Sequence, residues 1–289
     1  MESERWSEIH STNNDIKLLK EAHMAHNYES LDIHVIDSYA YKSIPNDKKH
    51  TFFAWLLYLM MGIIMGVIAF GMDELEHILT VKKWEIAQYY MDQGWIGAGF
   101  SIYFIISILF TMVAAAMTVF WVPGCSGSGM AETLGYVNGI NYPGFLGFSM
   151  LVTKILGVCL AIAGGLRIGK EGPLCHIGSI IGVVTIYLPC RWNLNFRNDY
   201  YKRLLVASGL GVGVAVAFGA PIGGSLFAYE VAKDSSFWNF SIAWRTFFAT
   251  SISVFTLGCM HAFKSGHVFD IVSGGLVKFA NIQFRPYEI

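Results

Sequence analysis

Three glycine-rich turns hold the residue types that could do chemistry in this sequence: GCSGSGMAE at 124–132, RIGKEGP at 167–173 and FGAPIGG at 218–224. Each opens a short apolar segment, so each reads as the start of a helix. A helix start offers unpaired N–H groups and a partial positive charge. Two or three such starts converging within a membrane would bind a small anion without a net cationic side chain. In the first turn the glycines admit close backbone approach, and Ser128 supplies a hydroxyl beside the N–H groups of Gly129 and Met130. The same serine also suits the cap of a helix beginning near Gly129. In the second turn Pro173 falls where the first helical turn begins, and Lys170 and Glu171 are ionisable residues at the edge of a span. A carboxylate there can occupy the positive focus in place of an anion, so Glu171 reads as a gate that vacates when protonated or displaced. The alternatives are a Lys170–Glu171 pair, or an N-terminal charge stabilising its own helix by ~0.3–1 kcal/mol.

The elements that must position these turns read as membrane helices. Of 289 residues, 54% are hydrophobic and only 14% charged, with a mean hydropathy of +0.47, well below the charge content of a soluble domain. Twenty Lys and Arg against 21 Asp and Glu leave no basic surplus for nucleic acid. Residues 1–50 are polar with no apolar h-region, which predicts a cytosolic segment and no signal peptide. From Thr51 the chain runs 22 residues without charge, enough for a first span across ~30 Å of hydrocarbon. The polar stretch after it, DELEHILTVKKWEIAQYYMDQG, reads as an interfacial connector with Trp84, Tyr89 and Tyr90 at the headgroups. A second uncharged run, Trp95 to Val122, ends at Pro123. Beyond it lie apolar stretches near 145–166, 173–189, 204–218, 221–232 and 240–263, several too short to span alone. Irregular backbone at membrane depth needs protein or water to satisfy it, so the repeated breaks point to a transport pathway. The small residues Ser208, Gly209, Gly213 and Ala217 read as a close helix-packing face.

The remaining polar groups suggest no other chemistry. Cys125, Cys159, Cys175, Cys190 and Cys259 occur singly and read as reduced packing residues. The nine histidines are scattered, and His23 with His26 reads as surface, so no metal site or cofactor is expected. No nucleophile–base pair or P-loop is present, so the chain does not read as an enzyme. Lys154 and Arg245 read as interfacial or snorkelling residues, Glu230 as a buried structural acid, and Asn239-Phe-Ser241 as an unused glycosylation sequon.

In this order, GSGMAE, GKEGPLCHIG and GAPIGGSLFAYE resemble the GSGxPE, GKEGPxxH and GAPxGGxLFxxE signatures of the chloride channel and chloride/proton exchanger family. The resemblance runs from about Tyr28 to the C-terminus. ESLD at 29–32 and DSSFWNFSIAWRTFFAT at 234–250 look most like its endosomal and lysosomal branch, which implies a multi-pass protein of an endosomal, lysosomal or vacuolar membrane. It implies an all-α fold of tilted and broken helices in two inverted halves, and a homodimer with one pathway per subunit. Chloride is the implied ligand, with Ser128, Gly129, Met130 and Gly172 around it, Glu171 as the competing gate, and Lys170 raising the local potential. Ser128 in place of proline favours chloride over nitrate by the same analogy. In family terms residues 51–289 form the first half only, without the second half or the cytosolic nucleotide-sensing module.

Two positions depart from the family pattern. Ala131 replaces a proline, and alanine, a good helix former, preserves the helix start. Val231 stands where exchangers carry an internal proton-relaying glutamate, and channel-type members have valine there. The expectation is therefore a voltage-gated channel for passive chloride transport gated by Glu171. The rival readings are a chloride/proton antiporter and a non-conducting half-protein that assembles with a full-length relative.

Overall fold

The computed structural model describes residues 48–140, 142, 144–188, 196–197, 199–233 and 240–266. The N-terminal segment up to residue 47, His23, His26, Cys190 and the sequon at Asn239 lie outside them. The described residues are helical, without a strand: α1 (Lys48–Asp92), α2 (Ile96–Ala116), α3 (Met130–Val137), α4 (Phe148–Ala163), α5 (Glu171–Tyr187), α6 (Asp199–Phe218), α7 (Pro221–Ala232) and α8 (Phe240–Ser265). Four are long and apolar enough to cross a membrane, namely α1, α2 with the turn that follows it, α6 and α8. Helices α3, α4, α5 and α7, at 8, 16, 17 and 12 residues, fall short of ~30 Å at 1.5 Å per residue. The fold is thus an all-α membrane bundle with broken helices.

The polar stretch after the first span is not a connector. It continues α1 as one helix of 45 residues, roughly 68 Å long at 1.5 Å per residue. Polarity alone does not end a helix, and no Gly or Pro falls between Gly71 and Gly94. The end comes at Gly94, whose φ of 84° only glycine adopts freely, with Trp95 N–H donating to Tyr90 O at 3.1 Å and Gly94 N–H to Met91 O at 3.0 Å. The extension is anchored by Lys83, 3% exposed, whose ammonium donates to Ala163 O at 2.5 Å and to Ser107 Oγ at 3.3 Å. A cation there also complements the C-terminal end of α4.

The core forms where backbones approach closely. Gly209 and Gly213 of α6 lie on Gly178 and Leu174 of α5, and Gly211 of α6 lies on Gly224 of α7. On the other flank Gly62 and Gly66 of α1 meet Ala249, Ser253 and Thr256 of α8. Tyr58, Ser208 and Thr246 link α1, α6 and α8 by buried hydroxyl contacts of 3.3 and 2.9 Å. Cys125, Cys159 and Cys175 are buried free thiols. Helix α2 differs, since only Gly99 and Ala114 among its 21 residues are buried. It winds through a π-helical turn, Met117–Trp121, into Pro123, which lacks an N–H and breaks the helix just ahead of the first glycine-rich turn.

Candidate functional site

The starts of α3 and α5 meet. Gly172 lies directly against Ser128, since a Cβ on Gly172 would stand 2.7 Å from Ser128 Cβ. Any side chain at 172 would part the two helix ends, so glycine is required for contact rather than for flexibility alone. Two N-terminal dipole ends and their unpaired N–H groups therefore share one locality, which favours an anion.

In the first turn Ser128 Oγ accepts the Met130 N–H at 3.3 Å, but the residue that caps α3 is Gly129, so Ser128 is not the N-cap of the helix. That bond uses one lone pair and leaves the O–H without an acceptor among the described residues, so it is compatible with anion binding. Gly129, the residue before the helix, is buried with φ 77°, and its carbonyl receives Thr133 N–H at 3.1 Å and Thr133 Oγ1–H at 2.7 Å. Met130 is half-buried and Ser128 exposed.

Lys154 is neither interfacial nor snorkelling. It is 2% exposed, and its ammonium donates to Cys125 O at 3.1 Å and Gly127 O at 3.0 Å. Those bonds turn two carbonyl dipoles of the loop toward the cation and so anchor the backbone just ahead of α3. Lys154 was legible in sequence as a lone charge within an apolar helix, which is itself a functional flag.

In the second turn Glu171 opens α5 and is exposed, with its carboxylate folded back over Gly169. Lys170 does not pair with it. Its ammonium binds Asp73 Oδ1 at 2.6 Å and lies 3.7 Å from Glu76 Oε2, both on the extension of α1. Burial alone would lower the Lys170 pKa, but the Asp73 bond and the Asp73 and Glu76 charges outweigh it and hold the group above its ordinary value. The positive charge expected at Lys170 is therefore largely answered by two carboxylates. His261 of α8 lies 3.5 Å from Asp73 Oδ2, and Lys264 binds Glu74 at 2.5 Å, extending this charged cluster to α8.

The third glycine-rich turn serves packing. Pro221 opens α7, and Gly224 seats that helix on Gly211 and Ala215 of α6. Glu230 is not a buried acid: its side chain is 65% exposed and pairs with Lys233 at 2.5 Å. Its neighbour Val231 is half-buried and packs on the core. Arg245 lies over the Trp55 ring at 6.0 Å. No group of three or more His, Cys, Asp or Glu among the described residues could hold a metal ion.

The model of the family described as voltage gated chloride channel matches residues 110–286. Chloride channel protein A of Dictyostelium discoideum is 35% identical over 267 residues, covering 87% of this chain and 30% of that protein. H(+)/Cl(-) exchange transporter 7 of Homo sapiens is 31% identical over 273 residues, covering 89% and 34%. The chain thus spans about a third of the length of these relatives. Among solved structures, a eukaryotic CLC transporter superposes with a TM-score of 0.63 at 22% identity, covering 70% of this chain and 37% of that one. A slow cyanobacterial Cl-/H+ antiporter gives 0.61 at 22%, covering 71% and 46%. Both likenesses concern the fold.

Proposed function

Because the chain belongs to the voltage gated chloride channel family, we propose that it supplies one inverted half of a chloride pathway, with the anion held at the meeting of α3 and α5. The observation that carries this is the contact of Gly172 with Ser128, which brings two helix starts into one locality, one of them opened by Glu171. Ser128, Gly129, Met130 and Gly172 surround the anion, and Glu171 competes with it as the gate.

Transport is passive and voltage-gated in this reading. Val231, at the position the family resemblance gives to an internal proton carrier, has no ionisable group and is packed on the core. A second reading, proton-coupled exchange, draws on the relative named as an H(+)/Cl(-) exchange transporter. The working unit is a homodimer, and the branch resemblance supports an endosomal or lysosomal membrane. The test is chloride flux in liposomes holding this chain, with and without Glu171→Gln, under an imposed proton gradient. Passive flux altered by the substitution supports the channel. Proton movement in fixed ratio to chloride establishes the exchanger, and absence of flux favours a half that acts only beside a full-length relative.

A further inference from the structure

We infer that His176 is a positioning residue for the anion site, an inference that rests on the chloride pathway proposed above. His176 is fully buried in α5, and its ring stacks on Phe145 with centroids 4.2 Å apart and an interplanar angle of 13°. Its Nε2 lies 3.1 Å from the Phe145 carbonyl oxygen, which can only accept, so Nε2 carries the hydrogen. Nδ1 is buried without a hydrogen-bond partner and presents a bare lone pair.

That nitrogen is turned onto Gly129. A Cβ at 129 would overlap Nδ1 and stand 3.0 Å from His176 Cβ, so the imidazole fills the space a side chain would take. Gly172, which lies against Ser128, is four residues before His176, so both project from one face of α5. One face of the gate-bearing helix therefore grips the two residues that open α3, Gly172 on Ser128 and His176 on Gly129. The ring acts as a wedge between helix starts. Held from behind by Phe145, it keeps Gly129 in the φ 77° conformation in which the Met130 N–H donates to Ser128 Oγ and leaves the hydroxyl hydrogen for the anion. A lost wedge lets the start of α3 settle toward α5, and the Ser128 hydroxyl loses its direction.

Titration of the detergent-solubilised chain with chloride, alongside thermal melting, tests this. His176→Leu removes both nitrogens and should weaken chloride binding about tenfold, the scale of one net hydrogen bond. His176→Gln restores a donor toward Phe145 and should recover binding to within about threefold. Gln is long enough to keep a wedge held by the Phe145 bond, whereas Leu has nothing to hold it there. A role confined to packing would instead depress melting in the two variants without separating their chloride affinities. Should His176→Leu fail to fold, a second pair carries the test: Gly129→Ala clashes with the ring, and adding His176→Ser should restore part of the lost binding. Wild-type binding with His176→Leu unchanged, or strict additivity of the Gly129 and His176 changes, overturns the positioning role alone. A wild-type chain that binds no chloride overturns the proposed pathway and the positioning role with it.

Discussion

Replacing Lys154 by methionine separates two effects that a buried cation combines. Methionine keeps most of the apolar stem but cannot donate a hydrogen bond. The bond to Cys125 O is buried and that to Gly127 O only partly so, and only the first counts at full weight. A hydrogen bond from a charged donor contributes about 1.5–3 kcal/mol net, and a buried carbonyl left unpaired costs about 1–3 kcal/mol. Against this, removing a 2%-exposed charge relieves a desolvation cost of several kcal/mol. The global melting temperature should therefore change little, while the 125–129 loop loses its anchor. If about 2 kcal/mol of loop ordering must then be supplied by the anion, chloride affinity falls by about 30-fold. Calorimetric titration with chloride and a melting curve on the same preparation measure both quantities. Chloride affinity within about threefold of wild type, in a variant that melts as wild type does, would refute the claim that Lys154 organises the site.

Ser128→Ala should lower stability by only about 0.5 kcal/mol through the lost, exposed Met130 bond and weaken chloride binding about tenfold through the lost donor, read by the same titration. Gly169→Ala adds a methyl where the Glu171 carboxylate lies, at a backbone position without positive φ, and should displace the carboxylate alone. Flux in liposomes should change about twofold or more with intact Glu171 and not at all beside Glu171→Gln. Asp73→Asn should cost about 1 kcal/mol, as expected of a half-exposed ion pair. Because the Lys170 pKa is raised by folding, that contribution is complete below the ordinary lysine range and is lost only as pH rises through the raised value. Melting differences between Asp73→Asn and wild type should accordingly stay constant from about pH 8 to 9, above the range in which the His261 contact to Asp73 changes its charge.

The parts of the fold that follow local rules were legible. Glycine-rich turns marked the starts of α3, α5 and α7, uncharged runs marked the first part of α1 and all of α2, and an apolar stretch marked α8. The end of α1 was missed because hydropathy locates a membrane boundary, whereas a helix ends where capping geometry ends it, here at Gly94. In the candidate site, residue type and spacing picked out the helix starts that carry Ser128 and Glu171, but not that those starts meet, since this depends on Gly172 reaching across from another helix. Lys154 binds carbonyls 29 and 27 residues away, and Lys170 finds Asp73 at a separation of 97. No periodicity carries such information. Glu230 was misread for a related reason: the composition of α7 is uniformly apolar around it, and which side faces outward is set by the seat of Gly224 on α6.

The central claim is that the starts of α3 and α5 hold one anion between them. Crystals of the chain grown in bromide, with anomalous difference maps, test it most directly. The account predicts an anomalous peak within contact of Ser128 Oγ and the Gly172 backbone that is lost in Ser128→Ala. A well-ordered site without that peak, or a bromide bound at Lys170 and Arg167 instead, would contradict it.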